Sequence, residues 1–128
     1  MSTLRRGSVT LNNASGTAAQ NVIDALAGTT FVGAAVGTRI TDVTVEVGPT
    51  TAPGATNLFC QLVINDGTRS PISLNVAIPN TINTEVYKNF PLRDILPGTG
   101  VSLQAQIAGG SLASGATVHV TVNGVDNN

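Results

Sequence analysis

Residues 115–124, GATVHVTVNG, decide the fold class. Val118, Val120 and Val122 alternate with Thr117, His119 and Thr121, the period-two pattern of a strand with one apolar and one wet face. Asn-Gly at 123–124 reads as the turn that ends it. The stretch also holds the chain's one histidine, so its outward face is the first place to look for chemistry.

The same signal recurs upstream. TDVTVEV (41–47) sets Val43, Val45 and Val47 against Asp42, Thr44 and Glu46. PISLNVAI (71–78) puts Ile72, Leu74, Val76 and Ile78 on one face. VSLQAQI (101–107) alternates Val101, Leu103, Ala105 and Ile107 with Ser102, Gln104 and Gln106. NLFCQLVI (57–64) is apolar on both faces, with Leu58, Cys60, Leu62 and Ile64 on one and Phe59 and Val63 on the other, so its second face needs separate cover. NDG (65–67) marks a turn, SVTL (8–11) is a short strand candidate, and a further short strand is expected around 86–90. The loop AGGSLASG (108–115) is too short for a parallel crossover, so the strands on either side are expected to pair as an antiparallel hairpin. His119 would then share its face with Ser102, Gln104 and Gln106.

TAAQNVIDALAG (17–28) is the one candidate helix, placed at residues 18–27. Ala19, Val22, Ile23 and Leu26 fall on a helical stripe, Thr17 and Gln20 have capping-box spacing, and Gly28 stands at the stop. A strand is the alternative there. GTTFVGAAVGTR (28–39) is apolar, Gly-rich and irregular. Many short strands separated by turns, with at most one short helix, predict a mainly β chain: an antiparallel two-sheet sandwich, jelly-roll-like. Its 128 residues are expected to form a single domain over 1–128, with 1–8 as an N-terminal arm. A chain of this length can bury roughly two-thirds of its extended surface and needs no metal or disulfide.

Composition narrows the function. Hydrophobic residues make up 41% of the chain but charged ones only 10%, against about 25% in an ordinary soluble domain. Exposed polar groups must therefore be mostly uncharged, and such faces lose little on being covered by another protein. A net charge of -1 fits neither nucleic acid nor an anionic membrane as partner. No apolar run reaches the roughly 18 residues of a membrane span, and the start has no secretory h-region, so synthesis is expected in the cytoplasm. Cys60 is the single cysteine and reads as a buried thiol.

No catalytic, cofactor or metal residues are expected. His119 has no Cys, His or carboxylate near it in sequence to complete a site. Asp42, Asp66, Glu85 and Asp94 show no spacing that makes the close carboxylate pair of a glycosidase, and Arg93 and Asp94 read as surface partners. The glycines form no phosphate-binding GxxxxGK loop. Arg5 and Arg6 could clamp an acidic partner surface, because guanidinium grips carboxylates bidentately. With Thr50, Thr51 and Pro53 of GPTTAPGATN (48–57), and with His119, they are the expected partner contacts.

The C-terminal third, FPLRDILPGTGVSLQAQIAGGSLASGATVHVTVNGVDNN, resembles the end of small β-sandwich head decoration (cement) proteins of tailed bacteriophages. There an LPxG turn leads into an alternating strand and a VxVTVxG strand closes the sheet. The resemblance implies a structural virion protein on the capsid surface, made in the host cytoplasm. It would bind major capsid protein or another virion protein, itself a homo-oligomer, trimer or dimer. A tail, neck or fibre component shares these features. A carbohydrate-binding module is a further alternative, disfavoured by 3% aromatics and no tryptophan.

Overall fold

The computed structural model describes residues 3–90, 94–96 and 100–127, with backbone alone at 69–74 and 94–96. Arg93 and the side chains of Ile72, Leu74 and Asp94 lie outside it. Ten strands form two antiparallel sheets among the described residues: β1 (Leu4–Asn12), β2 (Gln20–Asn21), β3 (Ile23–Asp24), β4 (Thr38–Val47), β5 (Phe59–Asn65), β6 (Arg69–Ala77), β7 (Glu85–Asn89), β8 (Asp94–Leu96), β9 (Ser102–Ala108) and β10 (Thr117–Asp126). Sheet A runs β3-β1-β10-β4-β7, with β8 also pairing with β4; sheet B runs β2-β9-β5-β6.

The valine alternation fixes which way sheet A faces. Val43, Val45 and Val47 of β4 and Val118, Val120 and Val122 of β10 are all buried, and Val45 and Val43 lie in register with Val120 and Val122. Cys60, Leu62, Val76, Leu103, Ala105 and Ile107 face them from sheet B. Each buried valine, leucine or isoleucine contributes about 1.5–3 kcal/mol, and the opposed rows make the sandwich core. Burial pushes the Cys60 thiol pKa up to about 12. A thiol reagent at pH 8 is therefore expected to leave the folded protein unmodified for hours and to label it promptly in denaturant, measured as thiol equivalents per chain. Prompt labelling of the native protein would contradict the packing.

Residues 17–28 are not a helix. Val22 is wholly buried while Ile23 and Leu26 are exposed, so the apparent stripe does not share a face. The chain passes from sheet B to sheet A at Val22, whose N–H donates to Leu103 O and whose carbonyl accepts from Phe31 N. β2 and β3 complete one edge of each sheet. Asp24 then competes with helical bonding: its Oδ1 accepts from the N–H groups of Leu26 and Ala27, and Gly28 turns back at φ 70°. Among the described residues no helix lies over β5, whose Val63 is nonetheless buried and whose Phe59 is half-buried.

β9 and β10 are not a hairpin either. β9 pairs with β2 and β5, β10 with β1 and β4. Leu112 and Ala116, buried within the connecting loop, plug the end of the core, and Ala113 N–H donates to Pro53 O. Anchored that way, the loop steps across the sandwich instead of turning back within one sheet. Asn123-Gly124 is no turn: β10 continues to Asp126, and a bulge opposite 123–124 places Asn123 against Asp42 and Gly124 against Ile40, with Thr41 the extra residue. A Cβ on Gly124 would stand 2.6 Å from Arg39 O, so the close approach requires glycine.

From Leu4 onward the expected arm is strand β1, held between β3 and β10. Its alternation turns Val9 and Leu11 toward the core and Leu4, Ser8 and Thr10 outward. The expected short strands at 8–11 and 86–90 correspond to β1 and β7, and the turn at 65–67 links β5 to β6.

Candidate interaction surface

The outer face of sheet A is built from the residues that alternate with the core valines. Registers place them in rows across four strands: Thr10, His119, Glu46 and Glu85; Ser8, Thr121, Thr44 and Tyr87; Arg6, Asn123, Asp42 and Asn89. His119 thus points outward, as its valine neighbours require, but its companions are Thr10 and Glu46 rather than Ser102, Gln104 and Gln106. Its Nδ1 is hydrogen-bonded to Thr10 Oγ1 at 3.0 Å. Among the described residues no three His, Cys, Asp or Glu side chains gather as a metal site. Asp42 accepts from Asn123 Nδ2 at 2.7 Å, Asp66 holds its own turn through Thr68, and Glu85 stands beside Glu46.

Arg5 has a different role from Arg6. It lies on the inner side of β1, its guanidinium 4.5 Å from the centroid of the buried Phe31 ring. Its Nη2 donates to Asp24 Oδ2 and to Val32 O, both at 2.8 Å, and its Nη1 to Asp126 Oδ1 at 2.8 Å. Asp126 also accepts from Thr38 Oγ1 at 2.7 Å. These bonds tie β1, β3, β4, β10 and the 28–37 loop together under thin cover, and they engage Arg5 within the chain. Burial pushes the Asp24 carboxyl up, but the Ala27 N–H, Arg5 and the Leu26 N–H outweigh it and hold its pKa below that of an ordinary aspartate. A carboxyl depressed in the folded state contributes stability above its unfolded value and loses it as pH falls through the folded one. Acid titration followed by circular dichroism is therefore expected to show stability falling below about pH 4, with a shallower acid limb for Asp24→Asn. Equal slopes would remove Asp24 from the acid transition.

Arg6 is exposed, and its Nε donates to Asn123 Oδ1 at 3.1 Å. Thr50 is exposed, Thr51 half-buried and Pro53 buried, in the loop that leaves β4 at the opposite end of sheet A from Arg6. The structure does not gather the six expected contacts into one patch: Arg6 and His119 share the outer face but lie four residues apart along it, about 13 Å. Tyr87, 59% exposed, and the Glu46–Glu85 pair escape a reading of the sequence, because nothing in it shows that β7 sits beside β4. Leu4 and Leu26 escape it too; extending the outward parity of Ser8 back along β1 is the signal that finds Leu4.

The described elements define an antiparallel two-sheet β-sandwich. No protein-family model and no curated protein matches the chain. Solved structures do. A chain of the cyanophage Pam1 capsid asymmetric unit is 16% identical with TM-score 0.52, aligned over 98% of this chain and 85% of that one. A chain of the acidic stable capsid structure of Helicobacter pylori bacteriophage KHP30 is 12% identical with TM-score 0.53, over 98% and 87%. The shared property is the fold, end to end.

Proposed function

We propose that this chain is a structural virion protein, a decoration or cement protein that stabilises a phage head shell by binding major capsid protein on the capsid surface. The observation that carries the reading is its likeness, over 98% of its length, to chains of two phage capsids. The outer face of sheet A is suited to such adhesion. Its Thr, Ser and Asn side chains, with His119 and Tyr87 exposed among them, offer many hydrogen bonds, and its charged residues Arg6, Asp42, Glu46 and Glu85 would need opposite charges on the partner. Thr50, Thr51 and His119 are the contacts we assign to such a partner. The mechanism is adhesion rather than catalysis. Each copy, acting as a dimer or trimer, buries a moderate area, and repetition over a lattice turns modest contacts into high avidity.

Mixing the purified protein with expanded capsids of its source phage tests this. Saturable binding at a fixed copy number per shell is the expected result. Absence from the shell, with density at the tail or neck instead, would replace the reading with a tail component.

A further inference from the structure

At one end of sheet A's outer face, the start of β1, the end of β10 and the bulged start of β4 frame an open groove of about 550 Å³. Leu4, Leu26 and Val125 line it together with Arg6, Asn123 and Asp42. Leu4 is 77% exposed and Leu26 84%, the highest values among the described large hydrophobic side chains. Neither belongs to the core, so folding does not account for their being apolar. Single exposed leucines are ordinary; two beside one groove are a candidate contact.

The polar residues say what kind of partner fits. Arg6 donates to Asn123 and Asn123 donates to Asp42, so the row is positive at one end and negative at the other. The two charged residues are separated by two strand spacings, about 10 Å. Arg6 keeps its two terminal amino groups outside this row, and among the described residues Asp42 Oδ2 is met by Thr41 Oγ1 at 3.1 Å. A partner must cover the leucines while setting an anion over Arg6 and a cation over Asp42. The same groove on a second copy meets both charges when turned about a two-fold axis parallel to the strands and centred on β10: that rotation lays Arg6 of each copy over Asp42 of the other and, by the same registers, sets Val125 against Val125 with Leu4 flanking that contact over the Arg39 position. Such an isologous contact needs a self-complementary patch, and this row is one.

We propose that two copies of this chain pair face to face through this groove, with reciprocal Arg6–Asp42 contacts around the leucines. The pairing deepens the oligomer part of the reading above, but its test uses the free protein and does not depend on shell binding. Light scattering after size exclusion, over a concentration series, is expected to give the mass of two chains for the wild type. Leu26→Glu is expected to raise the dimer dissociation constant about tenfold or more, with an unchanged circular dichroism spectrum because Leu26 packs against nothing in the core. Arg6→Glu alone and Asp42→Lys alone are each expected to be monomeric, since each sets like charges across the two-fold, and their equimolar mixture is expected to recover the dimer. A wild type of one or three chains, a Leu26→Glu variant of unchanged mass, or a mixture that stays monomeric would each overturn the proposal. If Leu26→Glu left the free mass unchanged but lost shell binding, the groove would belong to the capsid protein instead.

Discussion

Phe31→Ala is expected to destabilise the protein by about 3–5 kcal/mol, the range for removing a large buried aromatic. Phe31 has no accessible surface and heads the fully buried side chains by volume, although it comes from the irregular 28–37 segment. Its backbone laces the sheets together, with Phe31 N donating to Val22 O at 2.8 Å and Leu103 N to Phe31 O at 2.9 Å. The ring fills the space left by Gly7, where even a Cβ would stand 2.8 Å from Phe31 and 2.6 Å from Val22. Truncation opens a void that regular strands on either side cannot close, and it removes the face on which the Arg5 guanidinium rests. Urea and thermal denaturation check this: a fall in Tm of about 12 °C or more is expected. Phe31→Leu, which keeps most of the volume, should cost about 1 kcal/mol. A loss for Phe31→Ala as small as that would mean the loop is not part of the core.

Arg5→Met is the second large effect. Methionine keeps the length and the packing on Phe31 but removes the charge and the donors, so Asp24 and Asp126 lose their shared cation. The side chains of Arg5, Asp24 and Asp126 are 12%, 9% and 17% exposed. That places the cost below the 3–5 kcal/mol of a fully buried pair, at about 2–3 kcal/mol at pH 7. Asp24 keeps its bonds from Leu26 and Ala27, and Asp126 keeps Thr38, which limits the damage. Asp24 then protonates more easily, so the gap between variant and wild type should narrow as pH falls below about 4. Arg5→Lys should recover only part of the loss, because one ammonium cannot reproduce the planar fork that serves two carboxylates and Val32 O together. Chemical denaturation of all three proteins at pH 7 and pH 3 checks the set; an Arg5→Met variant as stable as wild type would show that the ion pairs are energetically idle.

The core place of Phe31 and the intrachain role of Arg5 are hard to read in the sequence for a common reason. Period-two alternation reports which way a side chain points, and there it succeeds: every valine of β4 and of the 117–122 stretch is buried, and His119 faces out. Alternation does not report which strand lies alongside. β9 and β10 read as neighbours because eight residues join them, yet the burial of Leu112 and Ala116 sends the second strand into the other sheet. β2 and β3 have two residues each, too few to show any period, and the step at Val22 between them breaks the pattern that remains. Leu26 of that segment falls on the apparent inward stripe, which conceals one wall of the groove. Arg5 reads as a clamp for an outside partner because its actual partners, Asp24 and Asp126, are remote in the chain.

β10 follows the other nine described strands in the chain, yet it occupies the middle of sheet A, with β1 on one side and β4 on the other. Leu4 pairs with Val125 across nearly the whole sequence. During synthesis β1 and β4 therefore emerge as separate edges, with Leu11, Val43 and Val45 uncovered, and they cannot be joined until the ribosome has released residues 117–126. Pairing at such separations is slow to nucleate, and open edges invite association with other chains meanwhile. Sheet A is thus completed only once β10 has left the ribosome, and the interval before it inserts is when nascent copies are most prone to aggregate.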